Sequence, residues 1–433
     1  MIKTQQKSPP SFIQSVWAFL VSPGFLAIVL IVLVVVAVRL PIDYRRIMQP
    51  TDNDYTTHIY YALDMLHGRA VPAFTLAHSL WQLGLMFVWW ASRSRIDFWQ
   101  SAIAFQVLSS VAAALIVYVW FGRMRSRPSP WMRAFWAVSL VIVTPVIAPK
   151  LLDGAYYFGY IGLANYHNPT VHVLRPFALL MFMFAMQVLG ERETGADDAS
   201  DPVEAAGTPA DRGRLDKPWL RKSMMVLAAA VIFAGGTFLK PSYTVTLVPA
   251  LGLMGLYWLW KSRPLDWTLA VVGIGLPSVL LLAPQFVITY IQGEIDGGIA
   301  VMPFVAANML SDYVLLKFVM SIFFPLVVLV LFWKRAIRDR EIVLAWLAFA
   351  VGSLQYFLLV ELGSRFTHAN FLWGAQITLF MLFVITIRFL IRQTDGVRGA
   401  VRPAVLASYA AYLPHIISGI AYYIFCFTTQ HYG

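Results

Sequence analysis

The sequence predicts an all-α, polytopic membrane protein with about eleven transmembrane helices and, in its first outer loop, juxtamembrane helices. Apolar runs of about 20 residues recur from one end of the chain to the other. Of the 433 residues, 59% are hydrophobic and only 13% are charged, against about 25% charged in a soluble domain. The cations fall mainly in the short connections between apolar runs, where membrane topology places them. Alternating segments of the outer-membrane barrel kind are missing.

Taken in order, spans are expected at residues 17–39, 99–121, 134–149, 172–190, 223–239, 242–260, 266–291, 313–333, 342–361, 375–391 and 403–427. The first is longer than a signal-peptide core and is followed by no small-residue cleavage site, so it reads as a retained helix. Residues 77–91 are apolar but too short to cross comfortably, which suits an interfacial or re-entrant helix. The positive-inside rule agrees. If 77–91 does not cross, the clusters around Arg123–Arg133, Arg192–Lys222, Lys261–Arg263, Lys334–Arg340 and Arg392–Arg402 share one side with Lys3 and Lys7. That puts the N-terminus in the cytoplasm, the C-terminus outside, and a long outer loop at 40–98. The acidic, Ala/Gly/Pro-rich stretch within 191–222 reads as a disordered cytoplasmic linker inside a single transmembrane domain spanning 1–433.

The net charge of +11 would suggest nucleic acid in a soluble protein. Here topology accounts for it, and no nucleic-acid partner is expected. Cys426 is the only cysteine, which excludes an intrachain disulfide, a cysteine-based metal site and a haem-attachment motif.

With this topology the unusual polar residues gather on the outer side. Loop 40–98 carries Asp52, Asp54, His58 and His78. The next outer loop carries His167 and Asn168, with Arg175 just inside the following span. Lys240 sits in a Lys-Pro-Ser turn, and Glu361, Arg365, His368 and Asn370 crowd a later loop. Charges at membrane depth are costly and face a cavity or a partner. Arg175, Lys240 and Arg365 match phosphate oxygens; the competing reading, shared with Lys317, is that they snorkel to the headgroups. A helix starting near Thr51 or Asn53 places Asp54, His58 and Tyr61 on one face. Asp52 or Asp54 could then abstract a hydroxyl proton or orient a divalent cation, or one of them simply caps the helix. His58 suits stacking or hydrogen bonding better than metal ligation. Tyr166-His167-Asn168-Pro169-Thr170 is either a functional or a structural turn. Trp81, Trp89, Trp90, Trp99 and Trp373 read as an aromatic belt or as sugar-stacking platforms.

The first quarter of the chain resembles the GT-C superfamily of integral membrane glycosyltransferases. The matching order is one span, an acidic outer loop, an amphipathic helix ending in Leu66-His67-Gly68-Arg69, a second apolar half-helix, and a second span ending in Arg-rich cytoplasm. Asp52 and Asp54 match the family's acidic positions, and Tyr55–Leu66 and Ala77–Ala91 its two juxtamembrane helices. The chain departs from larger members in showing no soluble domain after its last span, so acceptor recognition falls to the loops or to a lipid-bound acceptor.

The resemblance implies a polyprenyl-phosphate or -diphosphate sugar donor, a lipid-linked or glycan acceptor, and Asp54 or Asp52 as general base with inversion at the anomeric carbon. Lys240, Arg175 or Arg365 would steady the leaving phosphate, with His58, His167, Asn168 and His368 binding substrate. Neither a nucleotide-sugar site nor haem is expected. The setting implied is the bacterial inner membrane, in contact with its lipids, with the site at the outer face and a role in surface polysaccharide synthesis. Single-sugar transfer and repeat-unit polymerisation both fit; a lipid-linked oligosaccharide flippase is the non-enzymatic alternative, though it would need polar residues across the whole bilayer.

Overall fold

The computed structural model describes residues 20–48, 53–126, 128–146, 166, 168–190, 218–292, 297–394 and 402–429. In order these form α1 (Pro23–Ile47), α2 (Asp54–Leu66), α3 (Ala73–Ala77), α4 (Leu80–Ala91), α5 (Phe98–Gly122), α6 (Pro130–Ile142), α7 (Pro169–Val188), α8 (Pro218–Leu239) and α9 (Thr244–Trp260). Next comes α10 (Leu269–Ile291), π-helical at both ends. It is followed by β1 (Ile299–Val301), α11 (Val305–Leu310), α12 (Val314–Ser321), α13 (Phe323–Leu331), α14 (Trp333–Ala336) and α15 (Arg340–Leu358). The chain continues through β2 (Leu359–Glu361), a 3-10 turn at Gly363–His368, α16 (Leu372–Thr394) and α17 (Arg402–Thr429). Strands β1 and β2 pair antiparallel, with Ile299 opposite Glu361.

Eight helices among the described residues are long and apolar enough to cross a membrane (α1, α5, α7, α8, α10, α15, α16 and α17), and α12–α13, bent by 63°, make a ninth if taken as one span. The protein is a helical, multi-pass membrane protein. Among the described residues, the runs expected at 134–149 and 242–260 are shorter apolar helices: α6, of 13 residues, and α9, of 17. At 1.5 Å per residue these are roughly 20 and 25 Å long, short of a hydrocarbon core of about 30 Å. The reasons are local. Val143 turns extended ahead of Pro145, ending α6, and the Pro241-Ser242 turn delays the start of α9.

Two boundaries also move. Helix α1 opens at Pro23, where the Ser22 hydroxyl accepts the Phe25 amide at 3.2 Å. It continues past residue 39 because Arg39 pairs with Asp43 one turn on, at 2.7 Å, with the guanidinium also stacked over the Tyr166 ring. Pro218 opens α8, so residues 218–222 belong to a helix rather than to the expected linker; residues 191–217 lie outside the described residues.

Helix α4 has 12 residues, about 18 Å. Near its start Gln82 reaches His58, and near its end Trp89 packs on Phe98, the first residue of α5. Trp81, near its start, meets Phe105 two turns into α5, so α4 packs back antiparallel along the first part of α5, beside α2.

Helix α16 is the axle of the molecule, buried over nearly all of its apolar length. It meets α15 where Gly352 lets the backbones approach; a Cβ there would stand 3.1 Å from the Cα of Ala375. Helices α7, α15 and α16 each run from one end of the bundle to the other. One set of ends is tied by Arg340, which donates to the Gly190 carbonyl at 2.6 Å, and by Arg392, which bonds Asp339 at 2.6 Å. The opposite ends carry Asn168, Glu361 and Trp373. The 19 residues of α15 alone separate the two by about 28 Å.

Candidate functional site

The site begins at the first turn of α2. Asn53 is the N-cap: its side-chain oxygen accepts the Tyr55 and Thr56 amides at 2.9 and 3.1 Å. This settles the capping question for Asp54, which is relieved of that duty. Asp52 lies outside the described residues. One turn on, Gln82 of α4 donates its amide to Nδ1 of His58 at 2.8 Å, leaving Nε2 as the protonated nitrogen of a neutral ring. Packing against Trp81, 5.5 Å between ring centroids, completes the seat. Burial pushes the His58 imidazole down to about 4; nearby Asp54 opposes the shift and Lys240 adds to it.

The second contribution comes from the start of α7. Asn168 caps it, its Oδ1 accepting the Thr170 and Val171 amides and the Thr170 hydroxyl. Its amide is thereby aimed outward, and Nδ2 donates to Asp54 Oδ2 at 3.2 Å. Thr170 Oγ1 also accepts from the ammonium of Lys240 at 3.0 Å. Lys240, Thr170, Asn168 and Asp54 thus form one continuous chain of hydrogen bonds drawn from three separate segments. Lys240 ends α8 with its Nζ 5.2 Å from the centre of the Trp373 ring. Burial lowers its pKa to about 8, partly offset by Asp54, with Arg365 pushing the same way as burial.

The third wall is built on Glu361, the last residue of β2 and 3% exposed. Its carboxylate accepts from Tyr290 Oη at 2.7 Å, Arg365 Nε at 3.0 Å and Asn370 Nδ2 at 2.5 Å. Arg365 is held by its Nε, with its guanidinium 5.7 Å from the Phe74 ring centre and 5.8 Å from that of Tyr290. Gln285 ties this wall to the rest by donating to the Ala77 and Thr237 carbonyls.

These walls enclose a cavity of about 900 Å³ lined by Asp54, His58, Tyr61, His78, Asn168, Lys240, Tyr290, Arg365, His368 and Asn370, among others. A second space of about 250 Å³ opens from it, sharing His78, Lys240, Thr289, Tyr290, Arg365 and Asn370 and continuing between Val245, Leu282, Phe286, Ile299, Phe371 and Trp373. The more polar chamber therefore adjoins a more apolar slot, and Lys240 and Arg365 line both. A carboxylate sits on one wall, and Lys240 and Arg365 sit at the junction.

Of the residues singled out in the sequence, Asp54, His58, Asn168, Lys240, Arg365 and His368 line this one cavity. His167, like Asp52, lies outside the described residues, and of the two aspartates expected to orient a divalent cation only Asp54 is described. Arg175 stands apart, buried in α7 with its guanidinium over the Phe380 ring. Lys317 is buried, so it does not snorkel. Trp81 is fully buried and Trp373 nearly so, which removes both from an aromatic belt, whereas Trp90 is 68% exposed. Glu361 and His78 were noted in the sequence as outer-side polar residues without a role, and Tyr290 is the site residue the sequence reading passed over. The spacing of Glu361 and Arg365, one helical turn apart, was a usable signal; Tyr290, inside an apolar run, offered none. Compared with models of known protein families the chain matches none, and no characterised protein matches it either.

Proposed function

We propose that this protein is a membrane glycosyltransferase of the GT-C type, taking a sugar from a polyprenyl-(di)phosphate donor at the outer face of a bacterial inner membrane, in surface polysaccharide synthesis. One observation carries the reading: a more polar chamber holding Asp54 adjoins a more apolar slot, and Lys240 and Arg365 line both. A lipid-linked sugar has the same three parts in the same order: sugar, phosphate and hydrocarbon. The chamber also falls within the roughly 300–1,000 Å³ of small-molecule sites. The two helices α2 and α4 between α1 and α5 support the likeness to GT-C enzymes. Counting the bent pair and the two short helices as crossings gives a chain of about eleven passes, N-terminus in the cytoplasm.

In this reading the Asp54 carboxylate takes the proton of an acceptor hydroxyl as that oxygen bonds the anomeric carbon. The bond from that carbon to the phosphate oxygen breaks, its electron pair leaving with the phosphate. Lys240 and Arg365 stabilise the charge that develops there. His58, held neutral, and Asn168 orient the groups around Asp54. The acceptor is a lipid-linked or glycan hydroxyl entering the open side near His368.

The test is complementation of a deletion strain with wild type or Asp54→Asn, with lipid-linked glycans and surface polysaccharide read by mass spectrometry. Loss of product at unchanged protein level supports the enzyme. A glycan short by one sugar then means a single-sugar transferase, and accumulated single repeat units mean a polymerase. Full product from Asp54→Asn removes the catalytic reading and favours a flippase.

A further inference from the structure

The end of the bundle opposite Asp54 holds a second cavity, of about 690 Å³, between the ends of α7 and α16 and the start of α15. Its lining includes Lys334, Arg335, Arg338, Arg340 and Arg392 against only Asp339 and Glu341. Both carboxylates are committed. Asp339 caps α15 through the Glu341 and Ile342 amides and bonds Arg392; Glu341 bonds Arg392 at 2.6 Å and Arg388 at 2.9 Å. Arg340 is spent on the Leu189 and Gly190 carbonyls, where it closes the end of α7. Lys334, Arg335 and Arg338 remain, on and just after α14, and no carboxylate reaches them among the described residues. Arg335 has only the Gln393 side-chain oxygen, at 2.9 Å.

We infer that this cavity binds a phosphate-bearing group, specifically the headgroup of an anionic phospholipid in the adjoining leaflet. Three cations that no described carboxylate reaches, lining a concavity that already holds ion pairs, call for a further anion. The apolar neighbours indicate a membrane source. Trp333 and Ile337 flank the cations and are 55% and 48% exposed, and Trp333 has the amphipathic ring favoured at headgroup level. A lipid seated here bridges the ends of α7, α15 and α16, whose other ends carry Asn168, Glu361 and Trp373. Scattered snorkelling would explain cations spread around the perimeter; it does not explain their convergence on one cavity that already contains its own ion-pair network. This inference does not depend on the proposed activity.

The test follows thermal unfolding of the purified full chain in neutral detergent. The added probes are dioctanoyl phosphatidylglycerol, dioctanoyl phosphatidylcholine or inorganic phosphate. Wild type should be stabilised by phosphatidylglycerol and not by phosphatidylcholine. Lys334→Gln/Arg338→Gln, both at exposed positions, should keep its basal melting temperature and need a far higher phosphatidylglycerol concentration, by about fivefold per charge removed. Arg93→Gln/Arg95→Gln, elsewhere on the surface, should respond as wild type does. Equal stabilisation by inorganic phosphate would assign the same cations to a free phosphate group and overturn the lipid source. No response in wild type, or an equal response in the double variant, would overturn the site itself.

Discussion

The Asn168 amide reaches Asp54 Oδ2 at 3.2 Å while its own oxygen caps α7. One side chain thus fixes both a helix start and the orientation of the cavity's carboxylate. The two duties separate by substitution. Asn168→Asp keeps a capping oxygen but places a second carboxylate against Asp54, so it should fold and lose most activity. Asn168→Ala loses the cap as well and should be less stable by about 1 kcal/mol. Asp54→Asn should lower turnover by about 10² to 10⁴ at unchanged melting temperature. Activity assays paired with thermal unfolding check all three; an active Asn168→Asp would break the proposed link.

Lys240 sets a pH limit. Its folded pKa is lowered from 10.5 to about 8, so the ammonium is present below pH 8 and is lost above it. If its charge holds the donor phosphate, turnover should be level through neutrality and fall as pH rises past 8, with a bound anion moving the limb upward. Lys240→Arg should remove that limb while retaining activity, since a guanidinium stays charged. Linkage gives a second readout. Between pH 8 and 10.5 the unfolded chain binds more of this proton than the folded one, so the Lys240 contribution to stability rises with pH over that window. His58, lowered to about 4, adds a destabilising trend only as pH falls below about 6.5.

Asp54, His58, Asn168, Lys240, Arg365 and His368 could be read from sequence because each is a polar group stranded beside an apolar run, where burial demands a reason. Arg175 satisfied the same test and lies elsewhere. It shares the helix that Asn168 caps, but its side chain meets Phe380 of α16, and helical periodicity cannot say which neighbour a face will meet. The α4 helix was legible as a short apolar helix, found at 80–91 where 77–91 was expected. The helix lengths were not, because hydrophobicity marks where a run is apolar and not where a proline ends its helix, as Pro145 does for α6. Glu361 was visible as a charge, but its role depends on Tyr290, some 70 residues away in sequence by the numbering, brought close by the pairing of β1 with β2.

Glu361 should behave as the brace of the site. Its three donors all line the cavity and are half-buried, so Glu361→Ala leaves partners that water reaches only in part and should cost about 1 kcal/mol of stability. Glu361→Gln keeps the shape but removes the charge that holds Arg365. It should fold normally and weaken donor binding by roughly tenfold, the equivalent of one hydrogen bond to a charged group, with less effect on turnover at saturating donor. Measuring KM and kcat separately checks this. Wild-type KM in Glu361→Gln would mean that Arg365 does not need the brace.

His415 performs a structural task at membrane depth. The 63° bend between α12 and α13 frees the Phe324 amide from its helical partner, and in a bilayer such a group must be satisfied within the protein. His415 Nε2 accepts that amide at 3.3 Å, so Nδ1 carries the proton and donates to the Thr144 carbonyl at 2.7 Å. The neutral ring therefore joins the bend in one element to the end of α6, packed edge-on against Phe383 at 5.0 Å. The close approach of α17 to α6 needs Gly419, where a Cβ would run into the Ile142 carbonyl. His415→Phe keeps the volume but orphans a donor and an acceptor and should lose about 1–3 kcal/mol; His415→Ala adds a cavity and should lose about 2–5 kcal/mol. Thermal unfolding in detergent measures both. A His415→Phe protein as stable as wild type would mean that water or a shifted helix satisfies Phe324, and that the bend does not depend on this histidine.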